Sequence, residues 1–385
     1  MVLYEDNKQK YDSVPKELFR LVQNEEQIHD VEFKTKPIGF FMDVWLRFIK
    51  NKASVIAAII IILISIFAIF GPGMNDYKYD QQFTDRINMP AKIPAIAEMD
   101  IGIFDGAFTL ENRKYDNLSD TSKYPEGCIL EVKNPRLVNG QRMVDVVVDY
   151  YKYKGMPEDE CYWFGSDYLG RDIWTRMWRG TRVSLMIAVI SVICNVFIGV
   201  VYGSIAGYYG GKVDMVMMRI TEIINAFPRI VVVTLFIMVA GTGMFSIIMS
   251  LVIKDWVSTA RMVRSQFYRF KGREYVLAAR TLGVKDMALI FRHILPNCIG
   301  PVITSSMIAV PTAIFSESFL AYIGLGLQAP EPTIGVMLSQ GQKVLLQYPT
   351  QVVFPAILIS LLMISFNLFG NGLRDAFDPT LRGAE

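Results

Sequence analysis

The chain has 385 residues, 52% of them hydrophobic, a mean hydropathy of +0.31 and a formal net charge of +2. That apolar share exceeds what a soluble domain of this size carries, and the near-neutral balance excludes a nucleic-acid partner, which calls for a strongly basic domain. Four cysteines without CxxC spacing and two histidines, His29 and His293, argue against a metal site.

Residues 1–50 are polar and charged, with no short apolar core near Met1, so a cytoplasmic tail and no cleaved leader are expected. Within it, residues 40–48 (FFMDVWLRF) repeat aromatics at helical spacing with basic residues after them. This reads as an interfacial amphipathic helix on the lipid bilayer; the other reading is a cytosolic helix packed on its own protein. Residues 51–71 hold the first spanning helix, whose uncharged run at 53–70 contains four consecutive isoleucines. About 20 apolar residues cross a bilayer.

Residues 72–165 change character: they are polar, turn-rich and without a spanning run. Residues 143–151 (MVDVVVDYY) are strand formers, Asn139-Gly140 is a hairpin signal, and Ile129-Leu130-Glu131-Val132 supplies the other arm. A small, mostly β insert is expected, extracytoplasmic by the orientation given below. Cys128 and Cys161 both lie in it, and either a disulfide closes the domain or both thiols are free.

Apolar runs resume near 183–209, 213–240, 244–262, 297–325 and 351–369, within a core at 166–372. With the first helix they predict an all-α polytopic membrane protein of six transmembrane helices carrying the β insert between helices 1 and 2. Lys34, Lys36, Arg47, Lys50 and Lys52 precede the first span; Arg261, Arg264, Arg269, Lys271, Arg273, Arg280, Lys285 and Arg292 follow the fourth. Basic short loops stay inside, so both termini, the loop at 263–296 and the tail at 373–385 are expected to be cytoplasmic in a cell membrane.

No catalytic constellation is present. Gly210-Gly211-Lys212 is followed by Val213 and lacks the first glycine of a phosphate loop, so it reads as a tight turn. The 324–329 stretch (GLGLQA) follows a membrane helix rather than a strand, which removes the dinucleotide reading. The chain is therefore not expected to be an enzyme or to hold a cofactor of its own. Charged residues in or near spans are Arg219, Glu222, Lys254, Asp255 and Glu317. Arg219 and Glu222 read as an i,i+3 pair; Lys254, Asp255 and above all Glu317, which has no local partner, are candidates for a pathway or gate.

Residues 273–297 (REYVLAARTLGVKDMALIFRHILPN) read as two short helices broken at Gly283, with Tyr275, Ala279 and Leu282 on one face. A basic, small-residue elbow between spans suggests a docking surface for a cytosolic partner. In register, Ala278, Ala279, Gly283, Leu295 and Pro296 resemble the EAAxxxG…IxLP coupling loop of ATP-binding-cassette importer permeases, with Leu277 and His293 as departures.

Three more stretches resemble the peptide-transport branch of that family: 164–185 (FGSDYLGRDIWTRMWRGTRVSL), 319–338 (FLAYIGLGLQAPEPTIGVML) and 370–379 (GNGLRDAFDP). The resemblance, to the C-type permease subunit of oligopeptide and dipeptide importers, covers roughly residues 164–382 and leaves the insert unassigned. It implies a homologous second permease in a heterodimer, two cytosolic ATP-binding subunits that bind ATP and Mg, and an extracytoplasmic peptide-binding protein. It also implies that Glu274, Ala278, Ala279, Arg280 and Gly283 couple to the ATPases. The same branch includes importers of dipeptides and nickel complexes. An ATP-independent secondary transporter is the reading from a different class; it calls for an internal repeat of spans, and none is evident.

Overall fold

The computed structural model describes residues 39–99, 102–157 and 160–377. Residues 1–38 of the tail predicted at 1–50, with Lys34 and Lys36, lie outside the described residues, as do 378–385, including Asp378 and Pro379 of the last matching stretch. The chain divides into two compact units, Met1–Asp43 and Val44–Glu385. The first is described only where helix α1 (Phe40–Lys50) opens. In the second, Val44 and Phe48 of α1 pack on Ala376 and Phe369, while Trp45, Leu46 and Ile49 stay exposed.

Helix α2 (Lys52–Phe70) is uncharged after its first residue, and Asn51 caps it by accepting from the Ser54 amide at 3.3 Å. Its 19 residues rise about 28 Å, the depth of a bilayer's hydrocarbon core.

Strands β1 (Ala107–Lys114), β2 (Ile129–Val138) and β3 (Gln141–Asp149) form an antiparallel sheet in the order β1-β3-β2. Asn139 and Gly140, at φ 52° and 76°, make the tight turn between β2 and β3. The central strand buries Val144, Val146 and Val148. Outside these strands the insert is turns and single-turn helices, Pro94–Ala97 and Tyr150–Tyr153 among them. Cys128 and Cys161 pack on the same apolar cluster and are both free thiols here, the second of the two readings the sequence leaves open. Burial pushes both thiols above the ordinary cysteine range, which keeps the reactive thiolate scarce.

The insert is tied to the helices by the turn at 165–172. Asp167 accepts from the Leu169 and Arg171 amides at 2.9 and 3.0 Å and from Arg171 Nε at 2.8 Å, and Arg176 Nε lies 3.4 Å away. All three charged side chains are buried. Ser166 Oγ accepts from the Met89 amide at 2.8 Å, and Gln351 Nε2 donates to the Ser166 carbonyl at 3.1 Å. Gly170 sits at φ +71°, where an added Cβ would fall 1.9 Å from the Phe83 carbonyl oxygen; only glycine fits.

Asp172 then caps helix α3 (Ile173–Tyr209), accepting from the Thr175 amide at 2.7 Å. After a turn at Gly210 come α4 (Gly211–Ala226) and α5 (Arg229–Ala240). Residues 213–240, read from sequence as one span, form two helices that bend by 82° at the break between them. Pro228 supplies no N–H and forces Phe227 out of the helical region, to φ −71° and ψ 133°.

Helix α6 (Met244–Phe270) packs along α3 more extensively than any other helix pair. Gly199, Gly203 and Gly207, one turn apart on α3, make this approach possible. Added Cβ atoms would meet Thr259 Cβ at 2.6 Å, the Ala260 carbonyl oxygen at 2.3 Å and Phe267 Cβ at 2.6 Å. This is the small-residue stripe that lets membrane helices close on each other's backbone.

Helix α7 (Glu274–Thr281) follows, and a distorted helical stretch from Asp286 leads into α8 (Ile299–Tyr322). Helices α9 (Ile334–Gln342) and α10 (Thr350–Phe377) complete the bundle. Among the described residues, four helical stretches are long and apolar enough to cross a membrane, Lys52–Gly73, Ile173–Tyr209, Asp286–Tyr322 and Thr350–Phe377, or five if α4 and α5 count as one bent span. Lys254, Asp255, Arg261 and Arg264 set α6 apart from these, against the predicted six.

Gly203→Ala is expected to lower stability by about 1–3 kcal/mol, because the clash is with backbone that cannot move aside. Thermal unfolding in detergent, with Gly272→Ala as a control whose Cβ meets nothing within 4 Å, measures it. Equal unfolding midpoints for the two variants would remove the glycine stripe from the account.

Candidate coupling surface and translocation cavity

Helix α7 is short, and its two buried residues, Val276 and Ala279, hold it to the bundle. They pack with Phe267 of α6, Tyr208 of α3 and Leu289, Ile290 and Ile294 of the stretch before α8. Glu274, Ala278, Arg280 and Gly283 point outward, whereas Ala279 is only 8% exposed. Four of the five predicted coupling residues are therefore on the surface. Ala279 instead supplies the small contact that seats the helix.

The predicted common face of Tyr275, Ala279 and Leu282 is also split. The helix ends at Thr281, and Leu282, past its end at φ −79° and ψ 6°, is 84% exposed. Leu277, Met287 and Phe291 are exposed with it, giving an apolar surface on the elbow. Gly283, at φ +80°, reverses the chain with open space around it.

Polar contacts tie the elbow to the end of α3 and join the ends of α3, α4 and α6 beside it. Tyr208 Oη donates to Asp286 Oδ1 at 2.6 Å and accepts from Arg280 Nη2 at 3.3 Å. Arg264 of α6 donates through both Nε and Nη2 to Asp214 of α4, and Tyr268 Oη donates to the same carboxylate at 2.9 Å. Lys271 Nζ donates to the Gly207 carbonyl at 2.9 Å while lying 4.0 Å from the Tyr268 ring centroid. Burial pushes the Lys271 ammonium below its ordinary range.

An open cavity of about 500 Å³ lies between α3, α6 and α8. Asn195 comes from α3, Asp255 and Ser258 from α6, and Ser305, Ser306 and Thr312 from α8. A second cavity of about 480 Å³, with Arg269 and Arg374 at its wall, shares Ser305 and Ile308 with the first. Together they make a groove along α8.

The three predicted pathway residues have three different placements. Asp255 lines the cavity and is paired with Arg229 of α5, whose Nη1 donates at 3.3 Å. Lys254 answers the break at Pro228: its Nζ donates to the Asn225 carbonyl at 3.3 Å and to that of Phe227, acceptors the interrupted helix leaves open. Glu317 lies in the packed interior. It is fully buried, off the cavity wall, and accepts from Ser184 Oγ at 3.0 Å. Arg219 and Glu222 form the predicted surface pair at 2.6 Å.

Asn195 and Arg229 were not legible as site residues. Each is a single polar residue in or beside an apolar run, and the hydroxyls of α8 were the one available signal. Among the described residues no cluster of three or more His, Cys, Asp or Glu side chains is placed to hold a metal.

The family model described as the binding-protein-dependent transport system inner membrane component matches residues 199–383, and that of the N-terminal TM domain of oligopeptide transport permease C matches 39–91. The chain is 36% identical over 347 residues to the oligopeptide transport system permease protein OppC of Bacillus subtilis (strain 168), covering 90% of this chain and 92% of that one. It is 32% identical over 376 residues to the dipeptide transport system permease protein DppC of the same strain, covering 97% and 96%. Against the DppC of Lactococcus lactis subsp. cremoris (strain MG1363) it is 34% identical over 343 residues, covering 89% and 91%. With identities above 30% sustained over nearly the whole of each chain, this chain belongs to the binding-protein-dependent transport permeases, in their oligopeptide and dipeptide C-type branch.

Proposed function

We propose that the chain is one of two permease subunits of an ATP-driven peptide importer in the cell membrane, and that it forms half of the path for oligopeptides. The observation that carries this reading is the exposed apolar elbow of Leu277, Leu282, Met287 and Phe291. Val276 and Ala279 mount it on the ends of the helices that wall the cavity. A push on the elbow reaches α3 and α6 through Tyr208, Phe267 and the Asp214–Arg264 pair.

The partners follow from the family. Two cytosolic subunits bind ATP and Mg and dock on the elbow. A homologous permease supplies the other half of the path, and an extracytoplasmic binding protein delivers peptide. Hydrolysis belongs to the partners.

Six crossings complete the topology if the bent pair α4–α5 and helix α6 each count as one. The charges of α6 support this, because Asp255 and Arg264 are paired with protein groups and Lys254 with carbonyls. The elbow and both termini are then cytoplasmic, and the sheet insert extracytoplasmic. The outward residues of α1, Trp45, Leu46 and Ile49, rest on the lipid interface.

Leu282→Asp places a charge on a side chain that touches almost nothing in this chain, so stability should stay within about 0.5 kcal/mol. Peptide uptake and peptide-stimulated ATP hydrolysis by the reconstituted complex should both fall, and co-purification of the ATP-binding subunits should weaken. Full uptake with the aspartate in place counts against docking here. Gly283→Ala meets no atom within 4 Å and is penalised only by its φ of +80°, about 1–2 kcal/mol. It should leave membrane insertion intact while slowing coupled uptake, and a wild-type uptake rate would separate the turn from coupling.

A further inference from the structure

We infer that the cavity between α3, α6 and α8 reads the main chain of the passing peptide, with Asn195 Oδ1 accepting a backbone N–H; this rests on the peptide-importer reading above. Asn195 is 6% exposed and lines the cavity, and its Oδ1, buried in this conformation, has no hydrogen-bond partner; a turn of the amide about its soft terminal torsion brings that oxygen to the cavity. A buried acceptor left open costs free energy unless something supplies a donor.

The neighbouring hydroxyls complete the pattern. Ser305 Oγ and Ser306 Oγ donate to the Val302 carbonyl at 3.0 and 2.6 Å, and Thr312 Oγ1 donates to the Ile308 carbonyl at 3.2 Å. Each hydroxyl has one proton, and it is already committed to its own helix. What these three oxygens turn to the cavity is lone pairs. The α8 side of the wall therefore presents neutral acceptors, facing the Ser258 and Thr259 hydroxyls of α6.

The one carboxylate there, Asp255, is neutralised by Arg229. A wall of neutral hydroxyl and amide groups whose one carboxylate is paired matches a ligand with backbone amide groups and is indifferent to side-chain charge. An extended peptide backbone is such a ligand, and a volume of about 500 Å³ lies in the range of small-ligand sites. Recognition of backbone rather than side chains suits a path that passes many sequences.

The test uses the complete importer in vesicles, with its binding protein and ATP-binding subunits, and compares a pentapeptide with analogues methylated at one backbone nitrogen each. The wild type should take up at least one analogue roughly tenfold more slowly than the parent, the size of one hydrogen bond to a buried acceptor. Asn195→Leu should slow the parent to about the rate of that analogue, so that the ratio falls toward one; Asn195→Ala is the second variant should the larger side chain disturb assembly. Discrimination by the binding protein is common to all forms and cancels in the comparison. A ratio unchanged in both variants overturns the inference, and so does a wild type that handles every analogue at the parent's rate. A wild type that takes up no peptide at all with ATP overturns the importer reading itself, a result distinct from either.

Discussion

The close approach of α3 and α6 sets the rest of the structure. Three glycines in consecutive turns let the α6 backbone sit where Cβ atoms would otherwise stand. With apolar lipid on the outside there is little hydrophobic drive between helices, so contact area and backbone proximity must hold this pair. Once closed, it presents Asn195 and Asp255 to one cavity, and it delivers Tyr208 and Phe267 to the base on which the elbow rests. Cavity and elbow thus lie along a single packed pair of helices.

Polar groups within the bundle are matched to specific defects in it. The turn at Phe227-Pro228 frees carbonyls, and Lys254 is placed to answer them. Arg229, at the start of the next helix, meets Asp255. At the other end of α3, Asp167 gathers Arg171 and Arg176, and Ser166 ties the insert and α10 to the same turn. Removing one partner of such a buried cluster strands the others, so the cluster fixes geometry more than it adds net stability.

Much of this was legible in the sequence. The uncharged run of α2, the Asn139-Gly140 hairpin and the helical elbow before Gly283 follow from local propensity, which tertiary contacts here do not override. The bend at Pro228 also had a local signal, but hydropathy reads 213–240 as continuous because it sums side chains and ignores the missing N–H. The glycine stripe is written as Gly199-x3-Gly203-x3-Gly207, a spacing that an apolar average does not register. Glu317 stands without a local partner because the group it meets, Ser184, is 133 residues away; a sequence shows a charge without showing what it faces. Ala279 and Leu282 fell on opposite sides of the surface because the helix ends between them, and helix ends are the least certain feature of a sequence reading.

In the importer proposed for this chain, the energy comes from ATP-binding subunits docked on the elbow. The most direct measurement is uptake of a labelled oligopeptide into vesicles carrying the assembled complex, with ATP on the elbow side in one set and a proton or sodium gradient alone in the other. The account expects uptake with ATP, loss of it when the ATP-binding subunits are left out, and none from either gradient. Accumulation driven by a gradient without ATP would contradict it.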